Sequence, residues 1–84
     1  MTYEDIKRFM VQKDPGSKSV QISFKTRRSF KGIFLQLPDY DELSKKNLWR
    51  IVSESYIESY KTSKDVNLAR IFNGSEITRL EMIS

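Results

Sequence analysis

The chain has no cysteine and no histidine, three glycines and two prolines in 84 residues. Each scarcity excludes something. Without cysteine there is no disulfide framework and no thiolate metal site, so a reducing, cytoplasmic setting is expected. Without histidine as well, the common general base, the thiol nucleophile and the nitrogen and sulfur metal ligands are all missing, and Ser53, Ser55 and Ser59 have no evident activating partner. The reading is therefore not an enzyme, with no catalytic residue and no cofactor. Glycines 16, 32 and 74 are isolated, which leaves no glycine-rich phosphate loop. Long apolar runs are absent too. The longest purely aliphatic or aromatic run is Ile33-Phe34-Leu35, and the first ten residues carry Glu4 and Asp5, so neither a signal peptide nor a membrane span is expected, and no membrane partner.

What is present suffices for one core. With 38% hydrophobic and 12% aromatic residues the chain reads as a single domain over 1–84, a leading helix in 1–14 and the remainder in 18–84. The net charge of +4 is uneven. Residues 1–37 hold eight basic side chains against Glu4, Asp5 and Asp14, whereas the rest holds seven against eight acids. That asymmetry suits a polyanion, and it equally suits ordinary colloidal stability.

Tyr3, Ile6, Phe9 and Met10 share one helical face, and Thr2 with Asp5 has capping-box spacing, so a helix is predicted over 2–12 and ended by Pro15-Gly16. Val20, Ile22 and Phe24 alternate with polar residues as in a half-buried strand. After a basic turn from Thr26 to Ser29, Phe30 to Leu37 is apolar on both parities, as a strand covered on two sides should be. Gly32 within it predicts a bulge or bend. Pro38 to Asn47 reads as an exposed loop with Asp39, Tyr40, Asp41 and Glu42 at its tip, lacking the glycine and terminal glutamate of a calcium loop; no metal is assigned there.

Leu48 to Ser53 supports two readings, because Trp49 and Ile51 alternate like a strand while Leu48, Val52, Tyr56 and Tyr60 recur like a helix stripe. We divide the region into a strand over Leu48 to Ser53 and a helical turn over Tyr56 to Lys61, capped by Ser55 and Glu58. A single helix over 41–61 would instead make the domain α+β. The strongest local signal is Ile71-Phe72-Asn73-Gly74-Ser75-Glu76-Ile77. Asn73 and Gly74 tolerate positive φ, so a hairpin is predicted between Leu68 to Phe72 and Glu76 to Ile83, with Ile71 opposite Ile77 and Leu68 opposite Leu80.

These elements make a mainly β chain, a small SH3/Sm-like barrel of about five strands with an N-terminal helix. The element order, the basic residues Arg28 to Gly32 before a strand glycine, and the Ile71 to Ile77 reversal resemble the Sm/LSm family of RNA-associated barrels. Residues 4–83 can be laid along that pattern. Asn73 stands where the family has Arg, and Pro38-Asp39-Tyr40-Asp41-Glu42-Leu43 supplies the Asp and aromatic of its first motif without the Met-Asn pair. The resemblance implies a non-catalytic module that contacts RNA and assembles by pairing edge strands.

Lys25, Arg27, Arg28 and Lys31, with Phe24, Phe30 and Tyr40 near them in sequence, form the candidate RNA- or DNA-binding set, since cations take phosphates and exposed aromatic faces take bases. The plainer reading has both phenylalanines inward and a solvated turn guarding a sheet edge. Trp49 is either a buried anchor or an exposed platform. The alternative function is protein interaction or homo-oligomer assembly through an exposed edge, using Phe72 and Leu80 to Ile83.

Overall fold

Helix α1 (Tyr3–Lys13) opens the chain, and in this computed structural model residues 1–83 are described. Residue 84, the last of the domain assigned from sequence, lies outside them. The capping box forms as the spacing predicts: the Asp5 amide donates to Thr2 Oγ1 at 3.2 Å and the Thr2 amide to Asp5 Oδ2 at 3.3 Å. Asp14 then takes a left-handed φ of 43° and returns its N–H to the Met10 carbonyl, which stops the helix.

Five strands follow, β1 (Val20–Phe24), β2 (Phe30–Phe34), β3 (Leu48–Ser53), β4 (Arg70–Asn73) and β5 (Ile77–Met82). They form one antiparallel sheet in the order β4-β3-β2-β1-β5. Two further helices, α2 (Tyr40–Lys45) and α3 (Ile57–Ser63), and three single 3-10 turns fill the connections. Helical residues outnumber strand residues, so the chain is an antiparallel sheet with helices rather than mainly β. Among the described residues β4 and β5 are edge strands that pair with β3 and β1 and not with each other.

That order corrects the predicted hairpin. Neither Ile71 with Ile77 nor Leu68 with Leu80 is a pair; Ile71 faces Arg50, Leu80 faces Ile22, and Leu68 lies in a 3-10 turn before β4. The link is a 3-10 turn, Gly74–Glu76, that carries the chain from one sheet edge to the other. Asn73 caps it in an extended conformation, φ −81°, its Oδ1 accepting from the Ser75 amide at 2.9 Å. Gly74 is needed for room, not for positive φ. A Cβ there would fall 2.1 Å from Asn47 Oδ1 and 2.7 Å from Ile6 Cδ1.

The same holds for Gly32, which was expected to carry a bulge. Its pairings with Val20 and Ser53 run without a step, and a Cβ would meet Ile51 Cγ2 at 2.7 Å. The register steps instead between Ser23 and Phe24, where Arg79 faces the first and Ile77 the second.

Alternation sorts the sheet's two faces. Val20, Ile22, Phe34, Trp49, Ile51, Ile77 and Leu80 turn toward Ile6 and Met10 of α1, while Ile33, Leu35 and Val52 on the other face pack with Ile57 and Tyr60 of α3. β2 is thus covered on both sides, as its composition predicted. The segment around Asp39 to Glu42 is the start of helix α2 and not a loop tip, and the Asp39 carboxylate accepts from Arg50 on β3. Helix α3 exists where a helical turn was expected, but Tyr56 precedes it with no side-chain cap, so Ser55 and Glu58 form no capping box.

The sheet curls strongly. β4 and β1 are separated by β3 and β2, about 14 Å if the sheet were flat, yet the Phe72 ring centroid lies 5.6 Å from that of Phe24.

Candidate functional site

The curl assembles three phenylalanines. Phe24 ends β1 and Phe30 begins β2, so the 25–29 turn sets their rings 5.1 Å apart; Phe72 arrives from β4 at 5.6 Å from each. All three are half-buried on the inner face. Their offset, tilted packing is the favoured aromatic arrangement and holds the cluster in one shape.

Arg27 lies over this cluster. Its guanidinium carbon is 5.6 Å from the Phe24 ring centroid and 5.3 Å from that of Phe72, a cation held by two ring faces. Depressions open on either side of it. One, of about 460 Å³, is bounded by Phe24, Arg27, Ile71, Phe72, Asn73 and Glu76; the other, of about 340 Å³, by Arg27, Phe30, Tyr56, Arg70 and Phe72 with Glu54 at its rim.

Lys25 and Arg28 are exposed in the same turn, and among the described residues neither they nor Arg27 form an ion pair. Lys31 is exposed as well, but it alternates with Phe30 and so stands on the sheet face turned away from the rings. Tyr40 does not join the group. It follows the far end of β2 on α2, its ring edge-on to Trp49 at 5.8 Å with Lys7 Nζ 5.1 Å from its centroid. Burial first, then the Asp41 carboxylate and Tyr3, hold its hydroxyl pKa above the ordinary tyrosine value.

Trp49 is an anchor and not a platform: it is 1% exposed, and its Nε1–H donates to Asn47 Oδ1 at 2.8 Å. Sequence reasoning missed Phe72, Arg70 and Tyr56 as members of the site. No local pattern marks them, because β4 brings Phe72 and Arg70 there and the 3-10 turn Glu54–Tyr56 after β3 brings Tyr56. Among the described residues no set of three acids is placed to hold a metal ion, and no helix is long and apolar enough to cross a membrane.

Comparison with protein-family models, with curated proteins and with solved structures returned no match for this chain. The site must therefore be read from its own chemistry.

Proposed function

We propose that this chain is a non-catalytic binding module, an SH3/Sm-like barrel in its curl, that takes single-stranded RNA or DNA at the Phe24, Phe30 and Phe72 end. Two features support the barrel reading: the approach of β4 to β1 across the inner face, and the single 3-10 turn joining the two sheet edges. The binding reading rests on one observation. Arg27, with no carboxylate partner among the described residues, lies over two half-exposed rings in a turn that also presents Lys25 and Arg28. The exposed Arg27 guanidinium plane and the ring edges beneath it offer a surface on which unpaired bases stack, and the unpaired cations beside it take phosphates, which together favour a single strand over a duplex. Lys31 and Tyr40, placed elsewhere, have no part in this surface.

Fluorescence anisotropy with a short labelled single strand tests it. Affinity falls as salt rises, with a log–log slope of about −0.7 per phosphate neutralised, and replacing Arg27 and Arg28 together by Ala flattens the slope by about 1.4. Absence of binding at low salt, or binding indifferent to salt, rejects the proposal.

A second reading, assembly through sheet edges, is favoured by β4 and β5, which among the described residues have no strand on their outer sides, and by Ile71, which is 48% exposed on the former. Phe72 and Leu80 are not free for it, since both pack inward. A defined oligomer in light scattering that ignores oligonucleotides supports this reading over the first.

A further inference from the structure

We infer that the depression between the β1–β2 turn and the Gly74–Glu76 turn is a guanine subsite, with Glu76 as its specificity residue; this rests on the single-strand reading above. The starting point is an incongruity of charge. Arg27, in a turn that also presents Lys25 and Arg28, lines the depression, yet a carboxylate, Glu76, lines it too, exposed and without an ion pair among the described residues. A carboxylate repels phosphate. It accepts hydrogen bonds from a base edge that presents donors.

The backbone at Glu76 is held by its neighbours. The Lys25 amide donates to the Glu76 carbonyl at 2.9 Å, so the two turns are tied together at this residue. Asn73 Oδ1 is occupied by the Ser75 amide at 2.9 Å and the Ser75 hydroxyl at 2.8 Å, which leaves the Asn73 amide nitrogen as a donor. Phe24 and Phe72 form the apolar wall, and the Arg27 guanidinium offers a flat face for stacking.

Among the four bases only guanine sets two donors side by side on its Watson–Crick edge, N1–H and the 2-amino group, matching the two oxygens of one carboxylate. Its O6 then accepts from a donor such as Asn73 or Arg27. Uracil flanks its one N–H with carbonyls that a carboxylate repels, while adenine and cytosine place an acceptor beside their amino group. Phosphates run along Lys25 and Arg28, and the base lies in the depression against the wall of Phe24 and Phe72.

The test uses the whole chain and seven-residue oligouridines whose central base is uridine, guanine, inosine or adenine. A bidentate pair discriminates by roughly tenfold or more, so the guanine oligomer is expected to bind about tenfold tighter than oligouridine, and inosine, lacking the 2-amino group, to lose most of that gain. Glu76→Gln, at an exposed position, removes the charge and one acceptor: the guanine preference collapses to within about twofold, and oligouridine binds no more weakly than before. Equal, salt-dependent binding of all four oligomers overturns the guanine subsite and leaves the single-strand reading standing. A guanine preference that survives in Glu76→Gln removes Glu76 from the role. If none of the oligomers binds at low salt, both readings fall together.

Discussion

On its inner side the Gly74–Glu76 turn meets Asn47, and on its outer side it borders the depression beneath Arg27; the two sides handle polar groups in opposite ways. Inside, the side chain of Asn47 uses Oδ1 for Trp49 and Nδ2 for the Met1 carbonyl at 3.0 Å, while its own carbonyl accepts from the Gly74 amide at 2.7 Å. Outside, Arg27, Arg70 and Glu76 are exposed and without ion-pair partners among the described residues, and the rings beneath are half covered. A joint whose donors and acceptors are all matched has nothing left to offer a ligand. The side left unmatched is the one available for binding, and substitutions on the two sides should separate stability from affinity.

The largest effect belongs to Gly74→Ala. Its methyl group must displace an asparagine pinned by two hydrogen bonds and a fully buried isoleucine, a case of overpacking with lost hydrogen bonds. A loss of about 3 kcal/mol is expected in urea denaturation. An unchanged midpoint would mean the joint is slack and the contrast false. Asn47→Ala comes next, at about 2 kcal/mol, because the Trp49 N–H loses its acceptor and a residue at φ 60° gains a side chain ill suited to that region. Asn47→Gly sharpens the case: it keeps the backbone and loses only the hydrogen bonds, so it should fall between wild type and Ala.

On the outer side Arg27→Ala is expected to cost under about 1 kcal/mol of stability, the size of an exposed cation–π contact, while weakening oligonucleotide binding several-fold. A stability loss equal to that of Gly74→Ala would make Arg27 part of the scaffold. The smallest effect is acid-dependent and lies outside both regions. The Thr2 amide, then the Thr2 hydroxyl and Arg8, hold the Asp5 carboxyl below the ordinary aspartate range. A depressed folded-state pKa adds stability that is present above the unfolded value, about pH 4, and disappears as pH falls through the folded one. Asp5→Asn should therefore leave a shallower stability decline below pH 4, measured by thermal melts across that range, with little change in oligonucleotide affinity.

Much of the fold could be read locally. The Thr2 and Asp5 cap, the alternation of β1 and the two-sided apolarity of β2 are properties of neighbouring residues, and each element begins where those patterns put it, although β2 ends at Phe34 and not at Leu37. The partners of β4 and β5 were not legible, because Asn73-Gly74 carries the composition of a hairpin turn while its conformation is decided by Asn47 and Ile6, far away in the chain. Helix α2 was missed although Asp41 and Glu42 in its first turn and Lys45 in its last are local marks of a helix; it is short, and Asp39 precedes it without a side-chain cap and bonds to Arg50 instead. In the site, the cations of the turn were visible and Phe72 was not. Lys31 could have been set aside from the sequence, since a residue that alternates with an inward Phe30 must face outward.

The strand order also governs how the molecule must be made. β1 has β5 as one of its neighbours, so a chain leaving the ribosome keeps that edge of β1 open until Ile77–Met82 has been synthesised. Pairing between β1 and β5, so far apart in the chain, raises the contact order, and slow folding for a chain of this size is expected.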